Sequence, residues 1–186
     1  AHHDVLRSGK RRFEMLRRRY GASSSVFRTF RELVYAFYEQ SGRDFPWRRT
    51  WDPYCILVSE FMLQQTQTSR VAQKYETFLR EFPSVHELAC APRQRVLTVW
   101  QGLGYNRRAV ALHNAAQIII TDHGGEVPRR QDELLRLPGI GPSTAAAVMA
   151  FAFNKAVILI ETNVRRVFLH HFFPEESGVP DADLTP

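Results

Sequence analysis

Cysteine and long apolar runs are what this sequence most clearly lacks. Only two cysteines, Cys55 and Cys90, occur among its 186 residues. Two thiols cannot supply a disulfide framework, a four-thiolate zinc site or an iron–sulfur cluster, so we expect both to be reduced, buried apolar residues. No run approaches the ~20 apolar residues of a membrane-spanning helix, and residues 1–10 lack the apolar core of a secretory signal. A soluble intracellular protein without a membrane partner is therefore predicted.

Positive charge is in moderate excess. Lysine and arginine total 25 against 19 acidic residues, a net charge of +6, and hydrophobic residues make up 44% of the chain. This balance is that of a globular protein, and it is compatible with a polyanionic partner without establishing one. Residues 7–20 hold seven of the basic residues against Glu14 alone. We interpret them as a solvated helical extension; added phosphate contacts or a targeting segment is the alternative.

Alternating strand patterns are almost absent. Apolar residues recur instead at helical spacing, for example over residues 26–38, 71–82 and 109–123, which predicts an all-α fold. The exception is the apolar run of residues 156–160, which fits either a buried strand or an extended connector. Because a lone strand has no partner for its hydrogen bonds, we favour the connector.

The most informative stretch is LPGIGPSTA at residues 137–145. Gly139 and Gly141 bracket Ile140, which permits a tight hairpin at residues 137–141 whose backbone nitrogens face outward. A helix beginning at Pro142 would place its N-terminus beside them. Unpaired amide donors at the positive end of a helix dipole form a site for one phosphate. An ordinary helix–turn–helix connection is the alternative.

Five sequence blocks, taken in order, carry a specific resemblance. They are FPWR at 45–48, VSEFMLQQTQ at 58–67, WQGLGY at 100–105, the hairpin, and ETNVRRV at 161–167. Through them, over about residues 27–172, the chain resembles the helix-hairpin-helix DNA glycosylases of base-excision repair, and most closely the adenine glycosylase (MutY-type) branch. The resemblance implies a two-lobed, all-α fold with a DNA-binding cleft between the lobes.

The lobes implied by the resemblance divide the chain unequally. Residues 1–25 form the basic extension, residues 26–52 and 171–186 form one lobe, and residues 53–170 form the helical lobe that holds the hairpin. Family members usually continue into four cysteines that bind a 4Fe–4S cluster and into a domain that senses 8-oxoguanine; neither is in these 186 residues. Either this branch dispenses with both or the sequence is part of a longer chain, so no resident cofactor is predicted.

Excision of a base requires two acids. Breaking an N-glycosidic bond builds positive charge on the sugar, so one carboxylic acid protonates the leaving base and a carboxylate steadies the cation, as in glycoside hydrolysis. The base must first leave the stack. Glu60 lies within the apolar segment 56–63, where an unpaired charge is costly and a carboxyl pKa rises. The resemblance implies that Glu60 protonates the adenine ring; a solvated or arginine-paired Glu60 is the alternative.

Glu161 departs from the family pattern, which has aspartate at this position. Glutamate keeps the charge but moves the carboxylate by about one C–C bond, an error that can cost on the order of 100-fold in rate. We expect Glu161 to be a working carboxylate, with Asn163 holding the loop or the carboxylate through its amide. The alternative is that Glu161 only caps the helix that begins near Asn163.

Ser143 indicates a monofunctional enzyme. Bifunctional relatives place at this position a lysine that attacks the sugar and then cuts the strand, which serine cannot do. Serine resembles the adenine glycosylases, whereas the thymine-mismatch branch tends to carry tyrosine. The resemblance assigns Ser143, Trp47 and Arg48 to the base pocket; for Trp47 the alternative is a buried aromatic corner.

The resemblance also implies a DNA interface. Gln64, Gln65 and Thr66 would probe the gap left by the extruded base, and Tyr105 would stack on an unpaired base unless it packs in the core beside Trp100. The full set of implied DNA contacts is Gln64, Gln65, Thr66, Leu103, Tyr105, Arg107, Arg108, Gly139, Gly141, Arg165 and Arg166. The backbone carbonyls of Leu135, Leu137 and Ile140 would hold a monovalent or calcium ion that bridges to DNA.

The predicted function is excision of adenine mispaired with guanine or 8-oxoguanine. The predicted partner is double-stranded DNA with a mismatched or damaged base pair, bound by a monomer in the cytoplasm or nucleoid, or in a nucleus or mitochondrion. A glycosylase for thymine or uracil opposite guanine is one alternative. A helix-hairpin-helix DNA-binding module whose catalysis has lapsed through Glu161 is the other.

Overall fold

The computed structural model describes residues 2–174, 179, 180 and 184. Within these ranges the chain forms ten α-helices and one 3-10 turn and contains no strand, which confirms the all-α prediction. The helices are α1 (His2–Tyr20), α2 (Ser24–Ser41), α3 (Pro53–Leu63), α4 (Thr68–Glu81), α5 (Val85–Cys90), α6 (Arg93–Trp100), α7 (Asn106–His123), α8 (Gln131–Leu134), α9 (Pro142–Phe153) and α10 (Thr162–Phe172), with the 3-10 turn at Pro46–Arg48. No helix in this described part is both long enough and apolar enough to cross a membrane.

The chain divides into two compact units. The hairpin unit spans Phe45–Glu161, and the terminal unit combines Ala1–Asp44 with Thr162–Pro186. These bounds differ from the expected lobes at 53–170 and at 26–52 with 171–186. The 3-10 turn joins the hairpin unit because the ring of Trp47 packs edge-on against Tyr75 of α4, with 5.7 Å between centroids.

The basic segment at the start of the chain is a packed helix of the terminal unit. Phe13 of α1 is 1% exposed, and its ring contacts Phe30 of α2 and Phe172 of α10, at centroid distances of 5.5 and 5.7 Å. A Cβ added at Gly9 would lie 2.5 Å from the Leu33 side chain, so α1 and α2 approach closely there. The structure therefore corrects the separate extension expected at residues 1–25, because the apolar face of α1 completes a core.

α3 is the buried centre of the hairpin unit. It contacts α4, α7, α9 and the 3-10 turn. Asp52 holds its first turn by accepting a hydrogen bond from the N–H of Cys55 at 2.8 Å, and Pro53 occupies the first helical position. A helix that is apolar on nearly every side is expected to be enclosed by others. Five apolar α3 residues are at most 2% exposed: Ile56, Leu57, Val58, Phe61 and Met62.

The hairpin at residues 137–141 lies against α3 and α7. Leu137 and Ile140 are buried, and they anchor the loop in the core of the hairpin unit. Gly139 has a φ of +79°, and a Cβ added there would lie 2.7 Å from the Phe61 ring and 2.8 Å from the Cβ of Ala111. This position requires glycine both for its backbone conformation and for the space between two helices.

Residues 154–161 form an extended connector rather than a strand, as predicted. α9 ends at Asn154, whose backbone is left-handed (φ +50°) and whose N–H donates to the carbonyl of Met149. The connector then runs on with Val157 packed against the core and Ile158 exposed. It carries the chain from the end of α9 to Glu161, the last residue of the hairpin unit.

The two cysteines differ in environment. Cys55 is half-buried, and burial, followed by the nearby Asp52 charge, raises the pKa of its thiol to about 11. Such a thiol is protonated and unreactive at neutral pH. Cys90 is exposed, so the expectation that both are buried is wrong for it. It is the last residue of the six-residue α5, whose buried positions are Val85, Leu88 and Ala89.

We expect Gly139→Ala to lower the free energy of unfolding by roughly 2–4 kcal/mol, because it combines a left-handed backbone with an overpacked contact. Gly141→Ala is the matched control, since a Cβ there meets nothing within 4 Å. Urea denaturation of both variants measures the difference. Equal stabilities for the two variants would show that the contact with Phe61 relaxes freely.

Candidate active site

Glu60 is a carboxyl held on the buried helix α3. It lies between Ser59 and Phe61, both at most 1% exposed, while its own side chain is half-buried. Burial, followed by the negative charge of Glu161, raises the pKa of Glu60 to about 7. No ion pair engages it within the described part of the chain, which disfavours the arginine-paired alternative. A carboxyl of this kind is partly protonated near neutral pH and can donate a proton.

Glu161 is the second acid, and it lies within electrostatic range of the first. Its charge is the second of the two causes that raise the pKa of Glu60, so the two carboxyl groups are close enough to interact electrostatically. Glu161 is itself exposed. The chain reaches it through the connector 154–161, not through a helix. Asn163 lies exposed in the first turn of α10, in the terminal unit.

Arg108 is an internal hydrogen-bond donor, an arrangement that disfavours its predicted contact with DNA phosphates. Its side chain on α7 is 7% exposed. Nη1 donates to the carbonyls of Phe61 and Met62, each at 3.0 Å, and to that of Gln64. The carbonyls of Phe61 and Met62 lie in the last turn of α3, where no N–H of the helix is available to donate to them. The remaining contacts come from Nη2, which donates to Thr66 Oγ1 at 2.8 Å and to the carbonyls of Leu103 and Gly104 at 3.3 Å.

The burial of Arg108 could have been inferred from its spacing to apolar residues of α7, although arginine is usually an exposed residue type. Leu112, Ala115 and Ile119 follow it at four, seven and eleven positions along α7, and all three are fully buried. A helix places such positions on one face. Arg108 therefore occupies the first place of the buried stripe of α7. Arg107, its neighbour, is exposed.

The turn after α3 presents only one of its three predicted DNA-probing side chains to solvent. The Gln64 amide Nε2 donates to the carbonyl of Gly139 and to Thr144 Oγ1, each at 3.2 Å, so it ties α3 to the hairpin. The Thr66 hydroxyl is engaged by Arg108. Gln65 is exposed and has a left-handed backbone (φ +53°), which non-glycine residues rarely adopt. The contact between Gln64 and Thr144 was not predicted from the sequence.

Tyr105 faces solvent beside Gln65. Its side chain is 56% exposed, which excludes the core-packing alternative, and its backbone is also left-handed (φ +48°). Strained residues of this kind concentrate at functional sites. The guanidinium of Arg108 lies 5.4 Å from the ring centroid of Tyr105. A cavity of about 330 Å³ is lined by Gln64, Gln65, Tyr105, Arg107 and Arg108.

Leu103 is a core residue, and its burial disfavours the predicted contact of its side chain with DNA. It is 3% exposed and packs in the core that also contains Trp100. The two flanking glycines, Gly102 and Gly104, have positive φ values of 93° and 73°. These conformations turn the Leu103 side chain inward and leave Tyr105 outside. A glycine–leucine–glycine run next to a buried tryptophan is the signal for this arrangement.

The start of α9 offers backbone donors. Gly141 is the N-cap residue, Pro142 occupies the first helical position and Ser143 is exposed. The first N–H groups of a helix have no acceptor within it, so this end can meet an anion. The predicted ion site at the carbonyls of Leu135, Leu137 and Ile140 stays a prediction; oxygen donors suit calcium. Elsewhere in the described chain, no cluster of three His, Cys, Asp or Glu side chains is placed to hold a metal.

The remaining predicted site residues differ in how buried they are and in what they contact. Trp47 is half-buried and stacks on Phe45 with 4.7 Å between centroids, as in the aromatic corner that was the alternative for it. Arg48 is exposed. In the terminal unit, Arg165 donates to the carbonyl of Val179, an internal contact that the sequence did not indicate, whereas Arg166 is exposed.

Comparison with known proteins identifies related chains. Residues 58–183 match the family model described as HhH-GPD superfamily base excision DNA repair protein. An adenine DNA glycosylase of Mycolicibacterium smegmatis is 46% identical over 133 residues, which cover 71% of this chain and 45% of the relative. A thymine/uracil-DNA glycosylase of Methanothermobacter thermautotrophicus is 34% identical over 152 residues, which cover 81% of this chain and 69% of the relative.

A solved structure supports the same kinship. The structure of a thermostable thymine-DNA glycosylase superposes with a TM-score of 0.72 at 35% identity, over 76% of this chain and 65% of that one. The similarity therefore covers both the sequence and the arrangement of helices. The chain spans less than half the length of the mycobacterial adenine DNA glycosylase that it matches.

We expect Glu60→Gln to stabilise the protein at pH 8 and to leave its stability unchanged at pH 4. The folded-state pKa of about 7 lies above the ordinary value of 4.5, so the folded protein holds a proton that the unfolded chain has released between these pH values. Stability is therefore lost as pH rises from 4.5 to 7, by roughly 3 kcal/mol, and the neutral amide avoids this loss. Urea denaturation at both pH values checks it, with the exposed Glu76→Gln as control. An equal response of the two variants would contradict the burial of an uncompensated charge at Glu60.

We expect Arg108→Met to lower the free energy of unfolding by roughly 3 kcal/mol or more, because it leaves buried carbonyls at the end of α3 without a donor. Arg107→Met is the matched control: it removes the same charge from the next, exposed position and is expected to stay within about 0.5 kcal/mol of the parent. Equal losses in the two variants would refute the internal role of Arg108.

Proposed function

Because the chain belongs to the HhH-GPD superfamily of base excision DNA repair proteins, we propose that it excises adenine from double-stranded DNA by hydrolysing the N-glycosidic bond. The mispaired partner of the adenine is guanine or 8-oxoguanine. Adenine as the target base is supported by the 46% identity to an adenine DNA glycosylase over 71% of this chain. That this chain has the activity by itself is also a proposal, because the match covers only 45% of the adenine DNA glycosylase.

The observation that carries the proposal is the Glu60–Glu161 pair. Loss of a base leaves electrons on the base and positive charge on the sugar, so the reaction needs a proton for the first and an anion for the second. Glu60, with its pKa raised to about 7, supplies the proton to a ring nitrogen of adenine. Glu161 is exposed and supplies the negative charge beside the sugar. Water then completes the hydrolysis.

The proposed DNA contacts surround the cavity after α3. Gln65 and Tyr105 present exposed side chains from left-handed backbones, so each can enter the space left by an extruded base without displacing the core. Tyr105 offers a ring for stacking, worth roughly 1–3 kcal/mol per base. The first N–H groups of α9 bind one phosphate. Ser143 has no amine, so the proposed product is an abasic site and not a cut strand.

A second candidate changes the base and keeps the chemistry. Excision of thymine or uracil opposite guanine is supported by the 34% identity to a thymine/uracil-DNA glycosylase, of which the chain covers 69%. A glutamate in place of the family aspartate at position 161 favours a third candidate, a DNA-binding module without catalysis. We place adenine excision ahead of the second candidate because of the higher identity, 46% against 34%. We place it ahead of the third because Glu60 and Glu161 lie within electrostatic range of each other.

We expect strand cleavage of duplexes that contain A·8-oxoguanine or A·G, and only after treatment with hot alkali. Alkali cuts at the abasic site that a monofunctional glycosylase leaves, so untreated DNA remains intact. The measurement is gel separation of end-labelled strands, with T·G and U·G duplexes in parallel. Cleavage of T·G or U·G duplexes alone would establish the second candidate, and binding without any abasic product would establish the third.

Two variants in the same assay test the assigned roles. Glu60→Gln is expected to abolish excision while duplex affinity stays within a few-fold, because the amide cannot donate an acidic proton. Glu161→Asp is expected to slow excision by on the order of 10- to 100-fold. The shorter side chain withdraws the carboxylate by one bond from the position it has in a site built around glutamate. Unchanged turnover in Glu60→Gln would contradict its role as the acid. Faster turnover in Glu161→Asp would contradict a site built around glutamate.

A further inference from the structure

The positive charge of the chain is concentrated on one helix. α1 (His2–Tyr20) contains seven basic and two acidic residues, a net charge of +5, whereas the whole chain carries +6. All the other residues together are close to neutral. The net positive charge of the chain is therefore almost entirely that of α1.

α1 is an anchored helix with one free face. Its inner face is fixed by the buried Phe13 and by the close approach of Gly9 to Leu33 of α2. A helix that lies on a membrane must expose its apolar face, and the apolar face of α1 is already covered by α2 and α10. What remains accessible is the basic side.

Three arginines form a stripe along that accessible side. Arg11 and Arg18 follow Arg7 at four and eleven positions, so they lie within about 40° of it around the helix and about 6 and 16 Å along its axis. All three are exposed, and no hydrogen bond or ion pair engages them within the described part of the chain. Arg11 and Arg18 also border an open depression of about 520 Å³ with Glu14, Met15 and Arg19.

We propose that this arginine stripe, Arg7, Arg11 and Arg18, binds the phosphate backbone of duplex DNA as a contact separate from the base-excision site. Charge complementarity identifies the occupant: DNA carries one phosphate per 3.4 Å on each strand, so the 16 Å of the stripe can reach several phosphates. Guanidinium groups suit this role because they form paired hydrogen bonds to phosphate. The contact is independent of base sequence and raises affinity for any duplex. It rests on the proposed DNA substrate and does not require excision.

Glu14 allows a test in which removal of a negative charge and removal of positive charges change DNA affinity in opposite directions. It is exposed and lies on the same helix face, between Arg11 and Arg18. A phosphate beside it meets a like charge, which weakens binding. Glu14→Gln is therefore expected to tighten binding to duplex DNA, whereas loss of the arginines weakens it. A helix with only a structural role predicts neither response.

The experiment measures the affinity of the full chain for a fluorescently labelled, fully paired duplex across a range of salt concentrations. Each neutralised phosphate contributes about 0.9 to the slope of log K against log salt. We expect Arg7→Gln/Arg11→Gln/Arg18→Gln to lower the magnitude of this slope by about 2 to 3, and the corresponding triple lysine variant to keep most of it. Because the duplex is undamaged, the result does not depend on catalysis.

The matched control is Arg12→Gln/Arg28→Gln/Arg31→Gln, which removes the same charge from three exposed arginines of the terminal unit that lie off the stripe. It is expected to change the slope by less than the contribution of one phosphate. The same slope for both glutamine triples, or an unchanged slope in the stripe variant, would overturn the proposal and leave an acidic protein as the partner of α1. Excision at saturating DNA is expected to be unchanged in the stripe variant. A chain with no excision but with the predicted slopes refutes the proposed function alone.

Discussion

The C-terminus of α3 is closed by a side chain from another helix. A helix end leaves carbonyls without partners, and many helices satisfy them with a glycine turn. Here the guanidinium of Arg108 donates hydrogen bonds to the carbonyls of Phe61 and Met62. It also donates to the carbonyl of Gly104, in the loop before α7. One planar group thus fixes the end of the helix that carries Glu60 and the loop that carries Tyr105. The geometry of the whole candidate site depends on this buried donor.

The hairpin and the connector could be predicted from the sequence, because their signals are local. Gly139 and Gly141 bracket Ile140 directly before Pro142, and the apolar run 156–160 stands alone, with no other strand pattern to pair with it. The roles of Arg108 and Leu103 could not be predicted from residue type or from position in a motif. Their burial depends on contacts with α3 and on the two glycines beside Leu103, which are separated in sequence from what they pack against. The unit boundaries were displaced for the same reason, since aromatic packing and not chain order decides where α1 and α10 belong.

The raised pKa of Glu60 and the net positive charge of the chain arise in different parts of the molecule. The pKa of Glu60 is raised first by burial and second by the like charge of Glu161. Glu60 therefore keeps its proton mainly because the hairpin unit buries it. The net positive charge lies elsewhere, on α1. A single charge balance for the chain conceals this division. The overall excess of +6 therefore says little about the surroundings of the two carboxyl groups.

The Gln64 amide joins α3 to the hairpin through Gly139 and Thr144. Since Gly139 also lies against Phe61, the loop and the helix meet both by a hydrogen bond and by direct contact. The Gln64 side chain and the packing of Gly139 against Phe61 therefore hold the loop to the helix at two points. In the proposed complex, a DNA strand bound at the loop would lie at a distance from the Glu60 carboxyl that these contacts set before the DNA arrives.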